Sequence, residues 1–358
     1  MKKILITLIT FFSLLGAAYA DGHKEIKVGI ILGFTGPIES LTPDMASGAE
    51  LAFSEASQSG ELLGGSKLDV MRVDSTCVDS AAATSAAESL VSNGVVAIMG
   101  ADCSGVTGAV ATNVAVPNGI VLISPSATSP GLTSLEDNGV FFRTAPSDAR
   151  GGQILADITK DKGIKSVAIT YVNSDYGLGL ADVYKAAVEA HGITVTAMES
   201  HESDRADYSA DVGVLSSAGG DALAVLGYLD NAGGHLIEGS LDSGAFDTFV
   251  LSDGMIGDAL TERFGSDLDK SFGSMPGSLG EAAQLFKSVA EAGGINPSVY
   301  VGESYDAAAL IVLAMQAGNS SDKGSIVANV MSVANAPGEK IYAGELAKGL
   351  KLLADGKA

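Results

Sequence analysis

Short runs rich in Val and Ile alternate with longer Ala-rich stretches along almost the whole chain, and this alternation is the tightest constraint on its fold. The short apolar, β-rich runs at 26–32, 68–73, 95–99 and 120–123 read as strands. Between them, 45–56, 81–90 and 106–114 read as helices. Continuous apolar strands interleaved with helices predict a parallel sheet covered on either side. After 143–147 the pattern starts again, with a helix at 151–159, a strand at 167–171 and a helix at 180–190 that carries Leu180, Val183 and Ala187 at helical spacing. Strands follow at 193–197, 222–226 and 249–251. From about 279 the chain turns helical, over 281–292, 299–317, 326–333 and 345–353. Two sequential α/β units with a helical return are expected. A length of 358 residues suits two domains or one bilobal unit, and many Gly and Ala with no Trp suit close strand–helix packing.

The first residues read as an address. Lys2 and Lys3 precede an apolar run over 4–15, and Ala18-Tyr19-Ala20 supplies the small-x-small pattern that places cleavage before Asp21. The run is shorter than the ~20 residues that span a bilayer, and no later segment offers one. A lipid anchor would need a cysteine at the cleavage point, whereas the first cysteine is Cys77. The expectation is a soluble protein released into the periplasm. Cleavage removes two of the 21 Lys and Arg, so 19 face 43 acids and the formal charge is −24. Such a chain is a poor partner for nucleic acid or an anionic membrane, both of which require clustered cations. High charge favours a soluble monomer. Cys77 and Cys103 enter an oxidising compartment, so a bridge between them is expected, with two free buried thiols as the alternative.

Catalytic and metal signatures are missing. There is no GxxxxGK[ST], GxSxG or HExxH. His23, His191, His201 and His235 are spaced as no recognised zinc site is. His201-Glu202 reads as a solvated strand end. Gly29, Gly33 and Gly36 do not form GxGxxG, and Glu55 falls in a predicted helix, not at a strand end, so no dinucleotide cofactor is expected. Asp267 and Asp269 lack the Gly and closing Glu of a calcium loop. Neither a catalytic group, a metal nor a cofactor is expected.

In open α/β sheets ligands sit at the carboxyl ends of strands, and two loops there draw the eye. Gly100-Ala101-Asp102-Cys103-Ser104-Gly105 leads into a helix, where N–H groups and the Ser104 hydroxyl suit an anion. Ser124-Pro125-Ser126-Ala127-Thr128-Ser129-Pro130 is fixed by two prolines and offers polar groups at Ser126 and Thr128. Together they could hold a carboxylate. Helix capping by Ser104 and turn chemistry in the second loop are the equal alternative.

From Ile26 to about Lys357 the chain resembles the periplasmic leucine/isoleucine/valine-type, or type I, solute-binding proteins of ABC transporters. The resemblance rests on Ile26-Lys27-Val28-Gly29 with Thr35-Gly36-Pro37, Cys77 with Cys103-Ser104, and Ile123-Ser124-Pro125-Ser126-Ala127-Thr128. Phe142-Arg143-Thr144-Ala145-Pro146-Ser147-Asp148, Asp175-Tyr176-Gly177 and Glu303-Ser304-Tyr305-Asp306-Ala307 add to it, and the order and spacing carry the specificity. The resemblance implies two doubly wound parallel-sheet lobes joined by a hinge near 144–147 and 275–277. Lobe 1 would be 21–146 plus 277–358, and lobe 2 would be 147–276. It implies binding without chemistry, of an amino acid held between the lobes and passed to a membrane permease. Carried over by position, Ser104 and Thr128 bind the ligand carboxylate, and the Ser126 carbonyl, with Ala127 beside it, accepts from the α-ammonium. Tyr228 and Asp253 close from the second lobe, Asp253 aimed at the ammonium, and Tyr176 walls the side-chain pocket. Ordinary turn and core roles are the alternatives for Asp253 and Tyr176. Leu41 stands where aliphatic-amino-acid binders often place an aromatic, and the closing segment beyond 345–353 is expected to be short of the family's. A same-fold sensor, a binder of urea, an amide or a carboxylate, and a hydrolase are the rival readings.

Overall fold

The computed structural model describes residues 25–277 and 279–357; the leader expected over 1–20, and His23, lie outside them. The first sheet contains β1 (Glu25–Leu32), β2 (Lys67–Asp74), β3 (Ala97–Gly100), β4 (Val121–Ser124) and β5 (Phe141–Arg143) in the order β2-β1-β3-β4-β5, every pair parallel. The second contains β6 (Ser166–Val172), β7 (Thr194–His201), β8 (Ala222–Leu226), β9 (Phe249–Leu251) and β10 (Phe272–Gly273). Its order is β10-β9-β8-β6-β7, again parallel. Counted within its own lobe, each sheet has the same order, with the first strand between the second and the third. The order reverses between β1 and β3 and between β6 and β8, and a crevice opens there at the carboxyl edge.

Alternation along the strands sorts the core into layers. Val28 and Ile30 of β1, Met99 of β3 and Ile123 of β4 share one cluster with Phe53 and Tyr305. Ile31, Ile98 and Leu122, each next to one of these in its strand, belong to a second cluster with Leu90 and Val110 on the opposite face. Each fully buried Leu or Ile contributes roughly 1.5–3 kcal/mol, so a one-residue slip of any of these strands would be costly. The inner strands β3, β4 and β8 are buried throughout, as their unbroken apolar runs predict. A third cluster, including Leu223, Val225, Leu236 and Phe249, lies on one face of the second sheet.

The chain leaves the first sheet after β5 and enters helix Asp148–Asp161, whose first turn is capped by Ser147 Oγ accepting from Ala149 N at 3.2 Å. After β10 it returns through helices Glu281–Ala292, Val301–Ala317, Lys323–Ala334 and Leu346–Ala354. Helix Val301–Ala317 packs along helix Thr42–Ser59, and Glu55 ties the return to it by accepting from Tyr305 OH at 2.5 Å and Leu346 N at 2.7 Å. Thr144 Oγ1 donates to the Glu303 carbonyl at 2.8 Å, which joins the outgoing crossing to the returning helix.

Three features depart from the sequence reading. β5 and β10 carry no signal of their own, because strands of three and two residues at a sheet edge are made by pairing to a neighbour rather than by a pattern. The helix expected at 106–114 begins at Ser104 and passes into a wide π-type turn, Ala111–Ala115, just before Pro117, which has no N–H to give. His201 is not a solvated strand end: the residue is 1% exposed and Nδ1 pairs with Thr170 Oγ1 at 2.8 Å, while Glu202 faces outward to Asn173.

Candidate functional site

The crevice between the lobes is lined by the carboxyl ends of strands from both sheets. Ile38 and Leu41 follow β1, Asp102 to Ser104 follow β3, and Ser126 follows β4. Tyr176, Tyr228 and Asp253 follow β6, β8 and β9. Met45, on the first helix, and Tyr300, just before helix Val301–Ala317, complete the walls.

On the first wall the chain is forced into shape. Gly100 has φ +123, and a Cβ there would fall inside the carbonyl oxygen of Ile31 on the neighbouring strand. The disulfide Cys77–Cys103, with a Cα–Cα distance of 5.2 Å, ties the loop after β3 to that after β2. Asp102 lies between them. Its Oδ2 accepts from Gly33 N, and its Oδ1 accepts from Ser75 Oγ and from Cys103 N, each at 2.9 Å. Burial pushes this carboxyl above the usual range, and the three donors only moderate that rise. Ser124 Oγ donates to Ala101 O at 2.5 Å, and Ser126 Oγ to Asp102 O at 3.1 Å, which locks the two polar loops together.

Ser104 is the first residue of its helix, and Cys103 is its N-cap, so the capping role weighed for Ser104 is not the one it plays. Its hydroxyl instead accepts from Ser129 N at 3.1 Å, which leaves its own proton to give to another acceptor. Arg143 grips the same loop, donating to the carbonyls of Ala127 at 3.0 Å and Ser129 at 2.9 Å and to Thr133 Oγ1 at 2.6 Å. Ala127 and Thr128 are buried and do not line the crevice; the Thr128 carbonyl accepts from Asp148 N at 2.9 Å.

The second wall is aromatic with an acid at its centre. Tyr176 and Tyr228 stack with ring centroids 5.2 Å apart and 22° between planes. A side chain at Gly254 would meet the Gly227 carbonyl and the Tyr228 ring, so only glycine lets β9's exit approach them. Asp253 is 6% exposed; Oδ1 accepts from Tyr176 OH at 2.6 Å, and Oδ2 accepts from Tyr300 OH. Burial raises its proton affinity, and these two donors lower it in part. The hydroxyls of Tyr176 and Tyr300 are held well above their ordinary range, first by burial and then by the Asp253 charge. Both therefore remain donors at any physiological pH.

The walls meet closely. The space between them is ≈ 20 Å³, about what one water needs, so a larger ligand enters only when the lobes part. Ser40 N donating to Asp230 Oδ2 at 2.8 Å and Asn296 Nδ2 donating to Asp258 Oδ2 at 2.9 Å hold the edges of the cleft together. Among the described residues no group of His, Cys, Asp and Glu could hold a metal. What the arrangement can do is clamp a small polar molecule between hydroxyl donors on one lobe and a carboxylate on the other.

Five of the seven residues expected in the site line it: Ser104, Ser126, Tyr176, Tyr228 and Asp253. Sequence reasoning passed over Ile38, Met45, Gly254 and Tyr300, and named Asp102 only as part of a loop. Tyr300 carries no local signal, since it precedes a helix at φ +65, a conformation uncommon for a bulky residue.

A family model for periplasmic binding proteins matches residues 25–340. A Leu/Ile/Val-binding protein homolog 1 of Brucella melitensis is 30% identical over 334 residues, 90% of this chain and 86% of that one. The branched-chain amino acid transporter substrate-binding protein LivJ from Streptococcus pneumoniae, solved with isoleucine, superposes with a TM-score of 0.75 at 25% identity, covering 86% of this chain and 88% of that one. An ABC-transporter solute-binding protein from R. palustris, solved with 4-hydroxybenzoate, shares the fold with a TM-score of 0.72 at 18% identity, over 86% and 84% of the two chains. With two α/β lobes, a crevice between them and a family match spanning nearly all the described residues, this chain belongs to the periplasmic binding proteins, the solute-binding proteins of ABC transporters.

Proposed function

We propose that this protein captures an amino acid in the periplasm and delivers it to the permease of an ABC importer, acting as a binder and not as an enzyme. The observation that carries the reading is Asp253, a buried carboxylate at the centre of one wall, facing the hydroxyls of Ser104 and Ser126 on the other. An α-ammonium satisfies the acid through a charge-assisted hydrogen bond with the Ser126 carbonyl as a second acceptor, and an α-carboxylate takes the Ser104 proton. Tyr176 and Tyr228 close over the ligand. A relative named for Leu, Ile and Val and a structural neighbour holding isoleucine support an amino acid. A benzoate-like anion is disfavoured, because it would face Asp102 and Asp253 with no Lys, Arg or His among the described residues of the lining. The lobes, 21–146 with 277–358 and 147–276, hinge at 144–147 and 275–277, and ligand contacts from both sides favour the closed state that the permease recognises.

A thermal-shift screen of the protein from Asp21 onward, against amino acids, urea, amides and carboxylates, tests this. At about a hundred times its Kd a ligand stabilises by about 2.7 kcal/mol. Stabilisation by one group of amino acids, lost in the double variant Ser104→Ala with Asp253→Ala while that variant still melts cooperatively, is the expected result. Response to urea or a carboxylate alone, or unchanged affinity in the double variant, overturns it.

A further inference from the structure

The charges around the cleft do not balance. Asp102 and Asp253 line it, and among the described residues no Lys, Arg or His does. A third acid, Asp148, opens helix Asp148–Asp161 at 5% exposure and feels the charge of Asp253. The cation that reaches this group is Arg143, whose guanidinium is already committed to two carbonyls and Thr133. A buried carboxylate without a counter-charge is costly. A neutral amino acid brings one ammonium and one carboxylate and leaves that excess where it was.

Asp102 is the acid on the first wall. Its donors, Gly33 N, Ser75 Oγ, Cys103 N and its own N–H, all come from the first lobe's loops, so none of them is a cation and none comes from the second lobe. Beside it the lining is aliphatic, with Ile38, Leu41 and Met45. An aliphatic stem ending in a cation matches that surface, as long basic side chains bury their methylenes and keep the charged head paired.

We propose, building on the amino-acid reading above, that the ligand is a basic amino acid, its α-ammonium on Asp253, its stem along Ile38, Leu41 and Met45, and its terminal cation on Asp102. Holding the three loops together is a role Asp102 plays in any case, but that role leaves the missing counter-charge unexplained.

Titration calorimetry of the wild-type protein with lysine, ornithine and arginine, and with leucine, isoleucine and valine, decides it. The basic set is expected to bind at least tenfold more tightly, and Asp102→Asn is expected to shrink the ratio of leucine to lysine dissociation constants at least tenfold. Tighter binding of the branched-chain set overturns this inference and leaves the amino-acid reading standing. No response to any amino acid overturns both. An Asp102→Asn protein that weakens both sets equally assigns Asp102 to loop support and also overturns the inference. If that variant does not fold, the wild-type ranking alone still decides.

Discussion

Replacing Asp253 with Asn removes a charge from the centre of the cleft while preserving its shape, and its two consequences run in opposite directions. In the protein without ligand the carboxylate accepts from Tyr176 OH at 2.6 Å and from Tyr300 OH. Asparagine keeps one acceptor oxygen and turns an NH2 toward the other tyrosine, whose oxygen must then accept. Exchanging two charge-assisted hydrogen bonds for neutral ones costs about 1–3 kcal/mol. Against this stands the burial that dominates the proton equilibrium of Asp253 and raises its pKa from the ordinary Asp value even with both donors in place. The charged form is therefore disfavoured by the fold, and its removal offsets the weakened hydrogen bonds. Unliganded stability should stay within about 1 kcal/mol of wild type. With ligand, an ammonium loses its anionic partner in a desolvated site, which costs about 2–5 kcal/mol, or roughly 30- to 4,000-fold in affinity. Urea unfolding at pH 7.5 reads the first quantity and titration calorimetry the second. The pH profile gives a further check. Because the folded state holds the Asp253 proton more tightly than the unfolded chain does, the cost of this acid is largest at high pH and is relieved as pH falls through its folded pKa. Asp253→Asn should abolish that relief. A loss of stability above about 2 kcal/mol together with affinity within threefold of wild type would refute the reasoning and make Asp253 a structural acid.

Three further outcomes are expected. Cys77→Ser with Cys103→Ser opens a loop with a sequence separation of 26, and on the chain-entropy model should lower unfolding stability by about 3.5 kcal/mol in denaturant titrations; a loss below about 1 kcal/mol would show that the unfolded chain is not what the bridge restrains. His201, buried beside Thr170 and Gly227 with Asp211 and Arg205 nearby, has its proton affinity pushed down to about 4, first by burial. The unfolded chain takes up a proton near pH 6.5 that the fold refuses, so this residue's contribution should fall by up to about 3 kcal/mol between pH 6.5 and 4, and His201→Gln should flatten that part of the urea-derived stability profile. Gly100→Ala combines φ +123 with a clash on the Ile31 carbonyl and should cost more than about 3 kcal/mol or prevent folding; a variant with normal melting and normal ligand response would show that the β1–β3 pairing yields more than its geometry suggests.

Much of the architecture can be read along the chain. The apolar runs at 26–32, 68–73, 120–123, 167–171, 222–226 and 249–251 fall on β1, β2, β4, β6, β8 and β9 within a residue or so, and helix Glu281–Ala292 spans the residues expected. The polar loops after β3 and β4 and the acid after β9 could be singled out because strand ends followed by Ser, Asp and Gly are local patterns. The edge strands β5 and β10 could not, since two or three residues acquire strand geometry only from a neighbour.

The sequence by itself determined two α/β units with parallel sheets, because side-chain periodicity and backbone preference act over a few residues and leave a readable record. It also determined the acidic surface and the two cysteines that form the bridge. The tertiary structure alone decided that Tyr300 and Asp253, 47 residues apart, share a hydrogen bond, that Asp102 receives donors from three loops, and that His201 is buried. Those contacts depend on strand order and on how far the lobes close, and both are set by the packing of distant segments. No local pattern records that distance.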